Sequence, residues 1–226
     1  MKDAYDGLFK KYPISEFFSD SLDQIIFIES EKLKKNWNEQ KRKLLNNEEL
    51  FIRWYWRDAL GTKSFFMLYK ALFLNEKIQK DPTNNHYTTK LITELTKLSK
   101  INKKDWTNYE RIQNYQVSHL FWKTKNPLLF TAAWNIAYIP KYLDPFTGHE
   151  TQWTYRNEFL TLYIPKINLL FKEFIEDYNR FVDEYISPNI ENSLNIVKEE
   201  LQMNEKDFVK FKKSVDSELS KITLSH

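Results

Sequence analysis

Three glycines and seven prolines in 226 residues supply few turns. A turn-rich all-β sandwich needs many more, and so does a large glycine-loop nucleotide fold. The chain is therefore expected to run mostly in helices. Apolar residues make up 42% and aromatics 16%, ample for a sizeable core, which excludes global disorder. The length suits one domain. The absence of Cys excludes disulfides, thiolate zinc sites, Fe–S clusters and a cysteine nucleophile, and it fits a reducing compartment. No apolar run reaches 18 residues, and Met1-Lys-Asp-Ala-Tyr-Asp carries no signal pattern. The expectation is a cytoplasmic protein with no membrane partner.

Apolar periodicity predicts a long helix from Ile14 to about Leu45, with Lys32, Lys34, Lys35, Lys41, Arg42 and Lys43 in its second half. A second helix is expected from Asn46 or Asn47 through Leu50, Phe51 and Trp54, a third over 62–80 and a fourth over 87–101. Past Lys104 the texture changes. Residues 109–121 alternate apolar and polar, the period of a strand. Asn126-Pro127 marks a turn, residues 130–139 form a second β-prone run ending at Pro140, and Asp144-Pro145 marks another turn. Pro165 is expected to kink or split the helical stretch around it. Residues 166–186 form a strongly amphipathic helix, core packing or a dimer face, and a last helix or pair covers 191–222. The fold class is α+β and predominantly α-helical, with helical regions 1–104 and 166–226 flanking a β-containing island at 105–165, all in one interleaved domain.

Charge is unevenly spread. Residues 1–172 hold 27 Lys and Arg against 19 Asp and Glu, and residues 173–219 hold 6 against 12. The basic part suits a polyanion and the acidic part does not.

Chemistry concentrates in the island. Of four histidines, His119 and His149 lie within it, and Asn135 falls between them. A strand, a returning strand and a helix would bring the three to one point. An imidazole has a pKa suited to activating water, and a divalent ion held by Asn and His would stabilise charge on a phosphorane. Val-Ser-His119, Asn135-Ile-Ala-Tyr-Ile-Pro140 and Gly148-His149 together resemble the HNH, or His-Me finger, nucleases with a ββα-metal core, over about residues 115–150.

That resemblance implies a metal-dependent endonuclease with its core at 105–165, acting on DNA more than RNA, double-stranded DNA foremost, in a setting such as restriction or phage defence. His119 would be the general base, Asn135 would position it or bind metal, and His149 would bind metal. The ion would be Mg²⁺, with Mn²⁺ or Zn²⁺ as alternatives. Arg111, Lys123, Lys125 and Lys141 would contact phosphates. Ser118 stands where many members carry an Asp or His metal ligand. A cutter of palindromic duplex would be a homodimer.

Blander readings stand beside these. His119 also suits a hydrogen-bonded strand residue and Asn135 a turn cap. Arg53 and Arg57, four apart on one helix face, suit phosphate or, more readily, a surface network with Glu49 and Asp58. Most tryptophans suit the core, with Trp122 and Trp134 as the exceptions to look for beside the site. The second functional reading is a non-catalytic helical binding or partner-interaction module, with the acidic C-terminal region as its surface.

Overall fold

The long helix expected from Ile14 is interrupted. In the computed structural model, which describes residues 3–54, 59–101, 108–148 and 151–224, α1 spans Tyr5–Phe9 and α2 spans Ile14–Leu22. The chain then extends through β1 at Ile26–Phe27 before α3 resumes at Ser30–Leu45. The β-prone run Ile25-Ile26-Phe27-Ile28 fits a half-buried pleated surface as well as a helix, and a partner strand decides the matter. That partner is β7, Ile136–Pro140, which pairs antiparallel with Ile26 opposite Tyr138 and Phe27 opposite Ala137.

The expected second helix is absent from Leu50–Ile52, which forms β2. It pairs in parallel with β3 at Ile78–Lys80, beyond α4 at Ala59–Phe73. Helix α5 covers His86–Thr96 and stops at Lys97, which is left-handed with φ 60°. The next residues, Leu98–Ser99, form β4, and it pairs in parallel with β5 at Glu110–Arg111.

The island does contain the two expected strands. Strand β6, Tyr115–His119, lies antiparallel to β7 with Val117 opposite Tyr138 and His119 opposite Ile136. The sheet order is β1-β7-β6. After β7, a 3₁₀ turn at Lys141–Leu143 leads into the short helix α6 at Asp144–Thr147.

Helix α7, Trp153–Leu170, continues through Pro165 without a break. The carbonyl that loses its helical donor belongs to Thr161, which is exposed and lies on the water side. The break falls later, at Phe171, before α8 at Lys172–Phe181 and a π-helical turn at Val182–Ile186. Helix α9 covers Ile190–Glu200 and α10 covers Glu205–Leu219, with Asn204 Oδ1 accepting the Asp207 N–H at 2.9 Å as an N-cap.

One hydrophobic core draws on all three sequence regions, from Phe18 through Val117 and Ile139 to Val215. Ile175, Tyr178, Phe181 and Val182 are buried, so the amphipathic 166–186 stretch packs inward. The acidic region is equally structural, with Leu194, Val197, Phe211 and Leu219 all buried.

The connection between β6 and β7 is the unusual part. From His119 to Pro140 every residue is buried except Trp122. Irregular backbone inside a core must satisfy each N–H and C=O without water. Two asparagines meet this demand. Asn135, fully buried, accepts the Phe121 N–H on Oδ1 and donates Nδ2 to the Leu129 carbonyl, both at 2.9 Å. Asn126 donates Nδ2 to Tyr178 Oη and to the Glu218 carbonyl, and its Oδ1 accepts the Leu128 N–H. Asn135→Ala strands one donor and one acceptor in a dry interior. It should lower unfolding stability by about 2–5 kcal/mol, measured by urea denaturation.

Candidate functional site

A cleft of about 370 Å³ opens beside β6. Its walls come from four places: Gln116 to His119 on β6, Trp122 and Thr124 after it, Arg53 with Asn85, and Asp144, Thr147 and Gly148 around α6. The parallel pairing of β2 with β3 brings the Arg53 and Asn85 segments together. Arg53 donates Nη2 to Asn85 Oδ1 at 2.8 Å, while the Trp54 N–H donates to Asn84 Oδ1. The Arg53 N–H donates to the Thr124 carbonyl at 2.9 Å, tying this wall to the buried connection.

His119 sits at the floor. Its ring stacks on Phe130 at 5.1 Å, and Nε2 lies 2.9 Å from the Phe130 carbonyl. A carbonyl only accepts, so Nε2 carries the hydrogen and Nδ1 keeps a lone pair in the neutral ring. Burial pushes the imidazole pKa down to about 4, the Arg53 charge pushes the same way, and the Phe130 bond opposes both. His119 is therefore a neutral acceptor at physiological pH.

The other expected site residues are placed differently. Asn135 lies next to Ile136, the register partner of His119, but both polar ends of its side chain are spent on backbone inside the core. It does not face the cleft as a ligand, which corrects the metal-binding role. Lys123 and Lys125 are buried rather than presented to phosphate. Lys123 Nζ donates to the Ser217 carbonyl and Ser220 Oγ of the α10 end, and desolvation pulls its pKa down to about 8 against the pull of Glu218. Lys125 Nζ lies over the Phe65 ring at 4.8 Å, and its backbone N–H donates to Glu218. Burial raises the Glu218 pKa, while that backbone bond and both lysines lower it. Arg111 and Lys141 are exposed but do not line the cleft. His149 lies outside the described residues, as do Arg57 and Asp58.

Trp134 is a core residue, fully buried, edge-on to Trp37 at 5.5 Å and stacked on Phe174. Trp122 does line the cleft and is 42% exposed. Asn85, Gln116, Asp144 and Thr147 join it on the lining, and no sequence motif marks them. Asp144 accepts a hydrogen bond from Gln116 Nε2 across the cleft wall. Only the pairing of short strands distant in sequence brings these residues together.

Of the metal donors that the sequence suggests, His149 lies outside the described residues. Among the described residues no group of three His, Asp or Glu side chains is placed to hold one. Asn135 Oδ1 is already an acceptor in the core, and Ser118 offers only a hydroxyl.

The His119 environment has a measurable consequence. Folding keeps the ring neutral down to about pH 4, whereas the unfolded chain takes up a proton below about pH 6.5. The unfolded state then binds more protons, so stability falls as pH falls through this window. Between pH 7 and 4.5 His119 should account for about 2–3 kcal/mol of the loss. Urea denaturation of His119→Gln at the two pH values should show a correspondingly smaller difference than wild type.

A family model described as "Uncharacterised protein PM1201" matches residues 28–224, a span that includes every described wall of the cleft. Uncharacterized protein PM1201 of Pasteurella multocida (strain Pm70) is 39% identical over 187 residues, which is 81% of each chain. No solved structure matches this chain. The chain belongs to the family of the Pasteurella multocida protein PM1201.

Proposed function

We propose that the chain binds a phosphate-bearing ligand, nucleic acid foremost, in the cleft beside β6. Arg53 on a polar wall of that cleft carries this reading. A guanidinium offers a delocalised charge and several N–H donors that suit phosphate oxygens. Asn85, Gln116, Ser118, Thr124 and Thr147 surround it with amide and hydroxyl groups, which fix orientation in a ligand site. The basic excess of residues 1–172 supports a polyanion over a neutral ligand.

The second reading is the endonuclease, and the fixed His119 tautomer favours it. With Nε2–H held by Phe130, the Nδ1 lone pair is the basic atom. In hydrolysis the water oxygen would bond phosphorus, its proton would pass to Nδ1, and the leaving oxygen would depart with its electron pair and be protonated by solvent. Arg53 would meet the charge that grows on phosphorus. A base with a pKa of about 4 is weak at neutral pH, so binding is the better supported of the two.

Fluorescence anisotropy with labelled oligonucleotides, run beside a cleavage assay in Mg²⁺ or Mn²⁺, separates the readings. Wild type should bind and leave the nucleic acid intact. Arg53→Gln should weaken binding by about 10-fold or more, the scale of a charge-assisted contact. Unchanged affinity in Arg53→Gln would contradict this site. Cleavage that His119→Ala abolishes would establish the endonuclease instead.

A further inference from the structure

Seven described non-glycine residues have φ between 47° and 66°. Six have ordinary explanations. Asn84 and Asn114 are asparagines in turns, where the left-handed conformation is tolerated. Asn47, Leu74, Lys97 and Gln202 each lie within two residues after the end of a helix, a common left-handed stop. Trp122, at φ 54°, belongs to neither group. A bulky side chain at such an angle is strained and calls for a reason.

The surroundings make the oddity sharper. Trp122 is the one exposed residue between His119 and Pro140. The Thr124 N–H donates back to its carbonyl at 2.9 Å, closing the turn, and Lys123 and Thr124 on its far side are anchored to α10 and Arg53. The indole is held too. Its Nε1 donates to the Thr147 carbonyl at 2.9 Å, and its edge meets Tyr163. The fold thus spends strain to hold a large aromatic ring, rigid and partly bare, on the wall that also carries Arg53.

The remaining lining limits what fits. The cleft is near the small end of ligand sites in volume. Asp144 lies on the same lining as Arg53, and the Arg53 charge also acts on the Glu218 carboxylate. Carboxylates this close disfavour a second phosphate packed beside the first. A duplex presents stacked base edges and a double track of phosphates. An unpaired nucleotide presents one free aromatic face and one phosphate, which Trp122 and Arg53 match.

We infer that the cleft receives a single unpaired nucleotide, with its base stacked on Trp122 and its phosphate against Arg53. This rests on the nucleic-acid reading above and deepens it, turning the expected ligand from duplex to single strand. Base stacking on an aromatic side chain is sequence-tolerant, because every base has a π face.

The test is anisotropy on the full chain with three probes: labelled oligothymidylate, a duplex of the same length, and unlabelled thymidine monophosphate as competitor. Single strand should bind at least tenfold more tightly than duplex, with a slope of log K on log salt near −0.7, the value for about one phosphate. Trp122→Leu should lose about tenfold in affinity, and Trp122→Phe should keep most of it. Trp122→Gly relieves the left-handed backbone and so offsets part of the packing lost with the ring; it should still fold, checked by urea denaturation, and lose binding. Displacement by the monophosphate would make the free nucleotide sufficient, and failure to displace would make the strand the ligand. Both outcomes leave the Trp122 and Arg53 pairing in place. Duplex bound as tightly as single strand, or full affinity in Trp122→Gly, would overturn the inference while leaving nucleic-acid binding standing. Binding of none of the three would sink both.

Discussion

The buried connection between β6 and β7 is the constraint on which the rest depends. Such a connection ordinarily runs over the surface, where water satisfies its backbone. Here its polar groups are met from within. Asn135 clasps Phe121 to Leu129, and Asn126 reaches Tyr178 and the end of α10. The two amides let a loop fill space that a helix or strand would otherwise occupy. They also fix where His119, Trp122 and Thr124 lie, since all three border the same connection. Lys123 and Lys125 belong to this scheme. Their burial against α10 is offset by the Ser217 carbonyl, Ser220 and Glu218, so the basic centre and the acidic C-terminal region meet inside the molecule.

The scarcity of glycine shapes the same region. With three glycines in the chain, left-handed turns fall to other residues, mostly asparagines and helix-terminal positions. That substitution is cheap where a short polar side chain or a helix end absorbs it. It is costly at Trp122, where the chain places a ring at the rim of the only cleft wall that combines Arg53 with His119 among the described residues.

Much of the architecture is legible in the sequence. Low glycine content points to helices, and alternation over 109–121 with the β-prone run before Pro140 locates β6 and β7. The elements that sequence misjudges are decided by partners far along the chain. The segments at Ile26–Phe27 and Leu50–Ile52 have apolar spacing that suits either element, and pairing with β7 and β3 settles them as strands. Pro165 has the chemistry of a helix breaker, yet it costs less here because water serves the freed Thr161 carbonyl. The site is half legible. His119 and Trp122 stand out in the sequence and do line one cleft. Asn135 stands out for its chemistry, and the structure spends that chemistry on backbone. Arg53 reads as a phosphate contact or, more readily, part of a surface network, because its neighbours Asn84 and Asn85 are reached only through β2 and β3 pairing.

The proposed meeting point of nucleic acid with this protein is Trp122, beside Arg53 and His119. Photocrosslinking with an oligonucleotide carrying 5-iodouracil, followed by mass-spectrometric mapping of the attached peptide, tests it most directly. Attachment is expected within residues 115–124, at Trp122 above all. Crosslinks confined to exposed basic positions such as Arg111 and Lys141, with Trp122 untouched, would contradict it.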